Sequence, residues 1–420
     1  MRKRETFNWR WFILPAVVLA AWLLYQFPPL HQRLAWRVEA AVTYLRGAIA
    51  PAGPLPTPLP TLTPSGVQPS AAVTAAMTAT PTATPTAALQ ATALPSATPT
   101  PLPAAVSLPS PAWEKQDMNN CGPASLAMYL RMYGWSGDQF DISEIIKPVP
   151  EDRNVNPEEM VYWVRNYAGW LNASFRVGGD LDLLKRLLAA GFPVLIEESF
   201  YFEEPFWPDD DLWAAHYLLL TGYDEAGRYF IAQDSYHGAD QRVSYTTLDE
   251  GWRIFNRLVL LVYLPGDESA VQEIFGAAWD VETNRLHALE IARGETEANP
   301  NDAFAWFNLG SNLVYFERYG EAAAAYDTAR RLGLPQRMLR YQFGPFFAYF
   351  HSGRIDELLA LSEYALQRTP NSEEALLWHG WALYRQGKTA QAIQDWRSAL
   401  KANPNSADAR KALEFVGASP

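Results

Sequence analysis

Hydrophobic positions are laid out in four different ways along the 420 residues, and each layout predicts a different structure. Near the start, WFILPAVVLAAWLLYQF (11–27) is apolar except for Gln26. As a helix rising ~1.5 Å per residue it reaches about 25 Å, close to the thickness of a bilayer core. Residues 30–48 then set arginines among Leu, Trp and Val at helical spacing, which continues the helix or lays it on a membrane surface. From Pro51 to Ser110 there is no charged and no aromatic residue, while fourteen prolines and twelve threonines occupy the stretch. With nothing large to bury, it is expected to stay extended and disordered, reaching at most on the order of 190 Å at ~3.1 Å per residue.

Composition changes sharply at Trp113. Helical spacing appears over 123–133, 157–168 and 181–190, and continuous apolar runs follow in PVLIE, HYLLLTGY, RYFIA and RLVLLVYL. The runs read as buried strands, two of them joined by the DEAG turn at 224–227. Helices first and strands later predict an α+β domain. Beyond Pro265 the spacing is helical throughout. Prolines 265, 300, 335, 370 and 404 recur every 34 or 35 residues, the period of a helix-pair repeat. The expected domains are therefore 1–50 (cytoplasmic N-terminus, transmembrane anchor and juxtamembrane helix), 51–110 (linker), 111–265 (α+β domain) and 266–420 (repeat array).

Trp306, Leu309, Gly310, Ala322, Tyr326 and Ala329 in the second unit resemble the tetratricopeptide pattern, as do Gly380, Ala392, Trp396, Ala399 and Pro404 in the last. Unit 336–370 keeps Ala365 and Pro370 but departs elsewhere, and 266–300 keeps mainly Gly276 and Ala288. The resemblance implies an all-α solenoid, with a protein or peptide partner as its usual ligand and a purely stabilising role as the alternative.

A net charge of −12 leaves no basic surface for phosphates and excludes a nucleic-acid partner. Arg2, Lys3, Arg4 and Arg10 ahead of the apolar run favour a cytoplasmic N-terminus and extracytoplasmic domains on a single-pass cell-membrane anchor. Cleavage after Val18-Leu19-Ala20 would cut through the apolar run, so the anchor is expected to be retained. Cys121 is the one cysteine, so no disulfide within the chain is available, and it opens the stretch CGPASLAMYL. Proline suits a first helical turn, so the sulfur sits at a helix start, where free N–H groups and the helix dipole favour thiolate. Gln116, five residues earlier, is placed to join the Cys121 backbone N–H as an oxyanion donor.

Two histidines share the α+β domain with Cys121. His216 opens an apolar strand, where its ring can face a cleft, whereas His237 lies in the polar turn DSYHGAD and reads as a solvated surface residue. Asp234 ends the strand after the His216 hairpin and is the candidate to orient the imidazole; Asp224, in the turn itself, is the competitor. No cofactor and no metal is expected. EESFYFEEPFWPDDDLWAAH (197–216) carries seven carboxylates among aromatic rings and reads either as a lid selecting basic or extended peptides or as a solvated acidic loop. Its adjacent aspartates, Asp209, Asp210 and Asp211, lack calcium-loop spacing.

Taken together, Q-x4-CGPASLAM, HYLLLTGYD, IAQDS and YTTLDEGW over roughly 107–265 resemble the double-glycine-leader, bacteriocin-processing type of cysteine peptidase. The resemblance implies a papain-like fold with Cys121 as nucleophile, His216 as base and acid, Asp234 as orienter and Gln116 as oxyanion donor. The sequence has Asp-Ser where Asp-Pro is common, and no G-x4-G-K-[ST] motif, so transporter-coupled leader processing is not implied. The expectation is a membrane-anchored extracytoplasmic cysteine peptidase acting on a peptide or protein substrate. The alternatives are a non-catalytic peptide-binding scaffold and a thioester-forming transpeptidase or acyltransferase.

Overall fold

The computed structural model describes residues 10–25, 28–51, 53–59, 101–148 and 155–420. Two helices come first, α1 (Arg10–Tyr25) and α2 (Pro28–Ile49). The α+β body follows as β1 (Ala105–Ser107), α3 (Cys121–Arg131), α4 (Gln139–Ile146), α5 (Pro157–Tyr167), β2 (Asn172–Arg176), α6 (Leu181–Ala189), β3 (Val194–Tyr201), β4 (Trp213–Asp224), β5 (Tyr229–Asp234), β6 (Gly238–Ser244), α7 (Tyr245–Trp252) and β7 (Val259–Tyr263). The rest is helical: α8 (Glu268–Phe275), α9 (Val281–Ala298), α10 (Ala303–Tyr315), α11 (Tyr319–Leu332), α12 (Met338–Tyr341), α13 (Gly344–His351), α14 (Ile355–Arg368), α15 (Glu373–Arg385), α16 (Thr389–Ala402) and α17 (Ala407–Phe415).

The sheet is antiparallel throughout, in the order β2-β7-β3-β4-β5-β6. Its centre, β4, takes β3 along Trp213–Leu220 and β1 along Gly222–Asp224. Leu195, Leu219, Leu260 and Val262 pack under α3, α4 and α5, while Ile196, Leu218, Leu220 and Leu261 pack with α6, α7 and α8 on the other face. Both faces are covered, which is why these strands read as unbroken apolar runs rather than as alternating ones. The domain starts earlier than residue 111. Three-residue β1 carries no periodic signal, and only its pairing with β4 reveals it.

The N-terminal segments differ most from expectation. The apolar run is a 16-residue helix containing Pro15, about 24 Å long at ~1.5 Å per residue. No described helix is long and apolar enough to cross a membrane; Gln26 and Phe27 lie outside the described residues. Nor is the start of the linker free. Leu55 is 4% exposed, Arg330 Nε and Nη2 donate to the Pro56 carbonyl at 3.0 and 2.7 Å, and the Tyr364 hydroxyl donates to the Gly53 carbonyl at 3.1 Å. At the linker's other end the Tyr223 hydroxyl donates to the Pro103 carbonyl, and Ser110 donates to Asp240. Carbonyls of a proline-rich strand lack helical or sheet partners, so long donors from the folded body satisfy them. Residues 60–100 of the predicted disordered linker lie outside the described residues.

The repeats follow the small-residue logic of their motif. A Cβ on Gly310 would meet the Tyr326 ring at 2.7 Å, and one on Gly380 would meet Trp396 Nε1 at 2.5 Å. Units that depart from the motif and a unit that keeps it both hold the α+β domain, the regular second unit through Asn308 to the Arg253 carbonyl and through Asn312 to Asn256. In the first, Asn284 on α9 bonds both the N–H and the carbonyl of Val177. In the third, the expected first helix is split into α12 and α13, and Gln336 and Arg337 ahead of it bind residues 207–213.

Candidate active site

Helix α3 begins at Cys121, and every residue from Gly122 to Leu130 is buried. Asn120 provides no side-chain cap; its Nδ2 instead donates to Gln139 Oε1, which also accepts from the Asp117 N–H. Asn119 stands at φ 55°, a left-handed conformation that asparagine tolerates, and its carbonyl accepts from Lys147 Nζ at 2.8 Å. Gln139 and Lys147 thus hold the turn that presents the thiol. The first N–H groups of the helix have no intrahelical acceptor and surround the part-buried Cys121 with positive potential.

His216 lies in β4, 1% exposed, and its Nε2 bonds Asp234 Oδ1 at 2.8 Å. Register explains the meeting: β4 and β5 are antiparallel, with Leu219 opposite Gln233, so Asp234 at the end of β5 comes level with the start of β4. A register shift between Ala232 and Asp234 on the β6 side marks the same spot. The other ring nitrogen, Nδ1, has no nitrogen or oxygen partner among the described residues. The thiol is close enough that each group shifts the other's titration.

Burial pushes the Cys121 thiol up, but the hydrogen bond and charge of the His216 ring, with smaller help from the Tyr217 backbone and Lys147, hold it below its ordinary value. Burial pulls His216 down, yet Asp234 and Cys121 raise it to about 10. Asp234 is held far below the usual carboxylate range, because bonds from His216, His237 and the Tyr236 N–H outweigh its burial. The two shifts run in the direction that favours a thiolate paired with an imidazolium. Phe200 lies 5.0 Å from the imidazole, and with Tyr236 it keeps the His216–Asp234 bond dry.

Gln116 is tied down by one residue. Its N–H donates to the Ser235 carbonyl, and its Oε1 accepts from Ser235 Oγ, both at 2.9 Å. With the carbonyl end of the carboxamide held, the NH₂ end is turned away from Ser235, and among the described residues it has no partner. A proline at 235 would lack this hydroxyl, which gives Asp-Ser a physical reason. Asp224 is remote from this chemistry and accepts from the Gly227 N–H in its own turn. His237 is exposed at the surface, as its polar turn predicts, and in addition its Nδ1 bonds Asp234 Oδ2 at 2.6 Å. Glu198, opposite His216 across the ladder, was also missed; burial raises it to about 7, the His216 charge opposing and Asp234 adding. Sequence offered one usable signal, the placement of Ser235 and His237 just after Asp234.

The acidic, aromatic stretch before His216 is solvated at Glu203, Glu204, Asp209 and Asp211, which are exposed, but it is pinned to the repeats at Asp210. Arg337 clamps both carboxylate oxygens of Asp210 at 2.5 Å and donates to the Trp213 carbonyl at 3.1 Å. The guanidinium lies 4.0 Å from the Trp207 ring. Gln336 binds the Trp207 indole, the Asp209 carbonyl and Asp211. Among the described residues no group of three His, Cys, Asp or Glu side chains is arranged to hold a metal.

Residues 107–259 match the model of the peptidase C39-like family, and residues 374–406 match that of a tetratricopeptide repeat. The chain carries a C39-peptidase-like domain followed by tetratricopeptide repeats. Similar solved structures include a double glycine motif protease from an AMS/PCAT transporter, in complex with its leader peptide, at 19% identity (38% of this chain, 94% of that one, TM-score 0.28). Another is xylellain, a cysteine protease from Xylella fastidiosa, at 15% identity (39% of this chain, 87% of that one, TM-score 0.30). The cytochrome c-type biogenesis protein CycH of Pseudomonas aeruginosa is 29% identical over 120 residues, which are 28% of this chain. The match spans 29% of that relative's length.

Proposed function

We propose that the protein is a cysteine peptidase whose repeats take part in binding a peptide or protein substrate. The observation that carries this reading is the buried His216–Asp234 pair beside a thiol with a lowered pKa at a helix start. The Cys121 thiolate attacks the peptide carbonyl, forming the S–C bond, and the oxyanion is held by the Cys121 N–H and Gln116 Nε2. His216 gives its Nδ1 proton to the leaving amine as the C–N bond breaks, leaving a thioester. Water then attacks with the same imidazole as base, releasing the acid and restoring the thiol. An amine in place of water would make the site a transpeptidase. Extracytoplasmic placement on an N-terminal anchor belongs to the proposal. It is supported by the cationic residues 2–10 and by α1, whose Val17, Leu19, Trp22 and Leu23 are all more than half exposed.

The test is the alkylation of Cys121 by iodoacetamide in the full chain between pH 4 and 11. The expected rate plateau persists well below the free-thiol pKa of ~8.5, because the rate follows thiolate and the thiol is lowered. Hydrolysis behaves differently at the alkaline end. It should rise through the thiol's lowered pKa and fall near 10, where His216 loses the proton that the leaving amine needs. A rate that rises only near pH 8.5 would leave the groove with a binding role and sink the catalytic reading.

Ser235→Ala should lower kcat by about tenfold, less than the 10²–10³-fold cost of deleting an oxyanion donor, with KM nearly unchanged. Ser235→Thr keeps the hydroxyl and should restore most of the rate. Equal loss in both variants would point to packing rather than to orientation of Gln116.

A further inference from the structure

A cavity of about 270 Å³ lies where the C39-like domain meets the first repeats. Glu197 and Phe255 line it from the α+β side, and Ser311 on α10, Phe343 just before α13 and Phe347 on α13 from the repeats. It adjoins the candidate active site. Glu197 is close enough to Cys121 for the thiol to raise its titration, and Asn156 follows Val155, which a Cβ on Gly122 would touch at 3.3 Å. The repeats therefore wall a space whose lining includes Glu197, a residue within electrostatic reach of the thiol.

The cavity holds an arginine in an unusual position. Arg285 on α9 lies 4.9 Å from the Tyr315 ring and 5.9 Å from that of Phe175, and it is half-buried. Among the described residues it makes neither a hydrogen bond nor an ion pair. Its neighbours at this junction are all matched: Arg253 with Asp302, Arg257 with Asp249 and Glu295, and Arg176 with the Trp279 carbonyl. Glu158, exposed at the rim, does not pair with Arg285, nor does Glu197, which is buried and whose carboxyl is pushed well above the usual range by burial and by the nearby Cys121 and Glu158. Five N–H donors fixed between two rings and lacking an acceptor fit one ligand class best, a planar carboxylate taken bidentately.

We propose that this cavity is a substrate subsite in which Arg285 receives a carboxylate of the bound peptide, either an acidic side chain or a free C-terminus, while the phenylalanines take a neighbouring apolar side chain. The assignment rests on the peptidase reading for its substrate but not for its test. The probes are octapeptides of Ala, Leu and Phe in which one Glu is walked along the sequence. Each is paired with its Gln counterpart and made with a free or an amidated C-terminus. Cleavage is measured on the full chain and on Arg285→Gln, and binding by fluorescence anisotropy on Cys121→Ala with and without Arg285→Gln.

One Glu position, or the free C-terminus, should improve binding to Cys121→Ala on the order of tenfold over its neutral counterpart, and Arg285→Gln should erase that preference. Binding of the neutral peptides should stay within about twofold. If the preference is seen in binding while the wild-type chain cleaves nothing, the subsite stands and the peptidase reading falls. Cleavage with no carboxylate preference, or a preference that survives Arg285→Gln, overturns the subsite and leaves the peptidase reading intact. Absence of both binding and cleavage overturns both.

Discussion

Cys121→Ser is expected to abolish peptide hydrolysis, lowering kcat/KM by on the order of 10⁴-fold or more while leaving the fold unchanged. The change replaces one part-buried atom and leaves the His216–Asp234 bond itself in place. What it removes is an anionic nucleophile. Burial works against the charge at this position, and it is the imidazole that overcomes the opposition for a thiol. A serine hydroxyl starts far more basic, so the same field cannot ionise it. His216→Ala should cost a comparable factor by the complementary route, because the thiol keeps the burial and loses the charge opposing it. Mass spectrometry of an acid-quenched mixture should show a thioester adduct on wild type and none on either variant. Hydrolysis that survives Cys121→Ser would end the thiol assignment.

Arg337→Met should lower the stability of the chain by about 3–5 kcal/mol, the usual result of leaving one member of a buried ion pair without its partner. Asp210 and Arg337 are 0% and 1% exposed in their side chains, so water cannot replace the lost donors. Methionine fills much of the volume and keeps contact with the Trp207 ring, which isolates the electrostatic part of the loss. Denaturant titration of the full chain measures it, and Asp210→Leu combined with Arg337→Met should recover most of the stability. The same variant should slow hydrolysis, because Arg337 also holds the Trp213 carbonyl, three residues before His216 on β4. A loss under about 1 kcal/mol would mean that the clamp contributes little beyond packing.

The two sets of residues differed in how far they were legible. Cys121, His216, Asp234 and Gln116 lie in short segments whose local pattern constrains them: a cysteine before Gly-Pro at a helix start, a histidine leading an apolar strand, and an aspartate ending the next. A hairpin brings neighbouring strands into register, so sequence distance along β4 and β5 translates into a meeting of side chains. Ser235 bonding Gln116 spans 119 positions, and Arg337 bonding Asp210 spans 127. No periodicity relates such partners. The pinning of the three-aspartate stretch at Asp210 was not legible because the neutralising Arg337 comes from a repeat whose pattern had broken down at that point.

By itself the sequence determined the order of the parts: an apolar N-terminus, a Pro/Thr stretch, an α+β body with the thiol at a helix start, and helix pairs repeating every 34 or 35 residues. These follow from local burial and backbone preference, which act over a few residues and leave a period in the text. Tertiary structure alone decided that the repeats grip the C39-like domain, that 53–59 lies against α11 and α14, and that Arg285 faces a shared cavity with no hydrogen-bond or ion-pair partner among the described residues. Those arrangements depend on groups that are distant in the chain and become neighbours only when the two units pack. Their energies come from desolvated pairs and filled space, and neither leaves a periodic mark in the sequence.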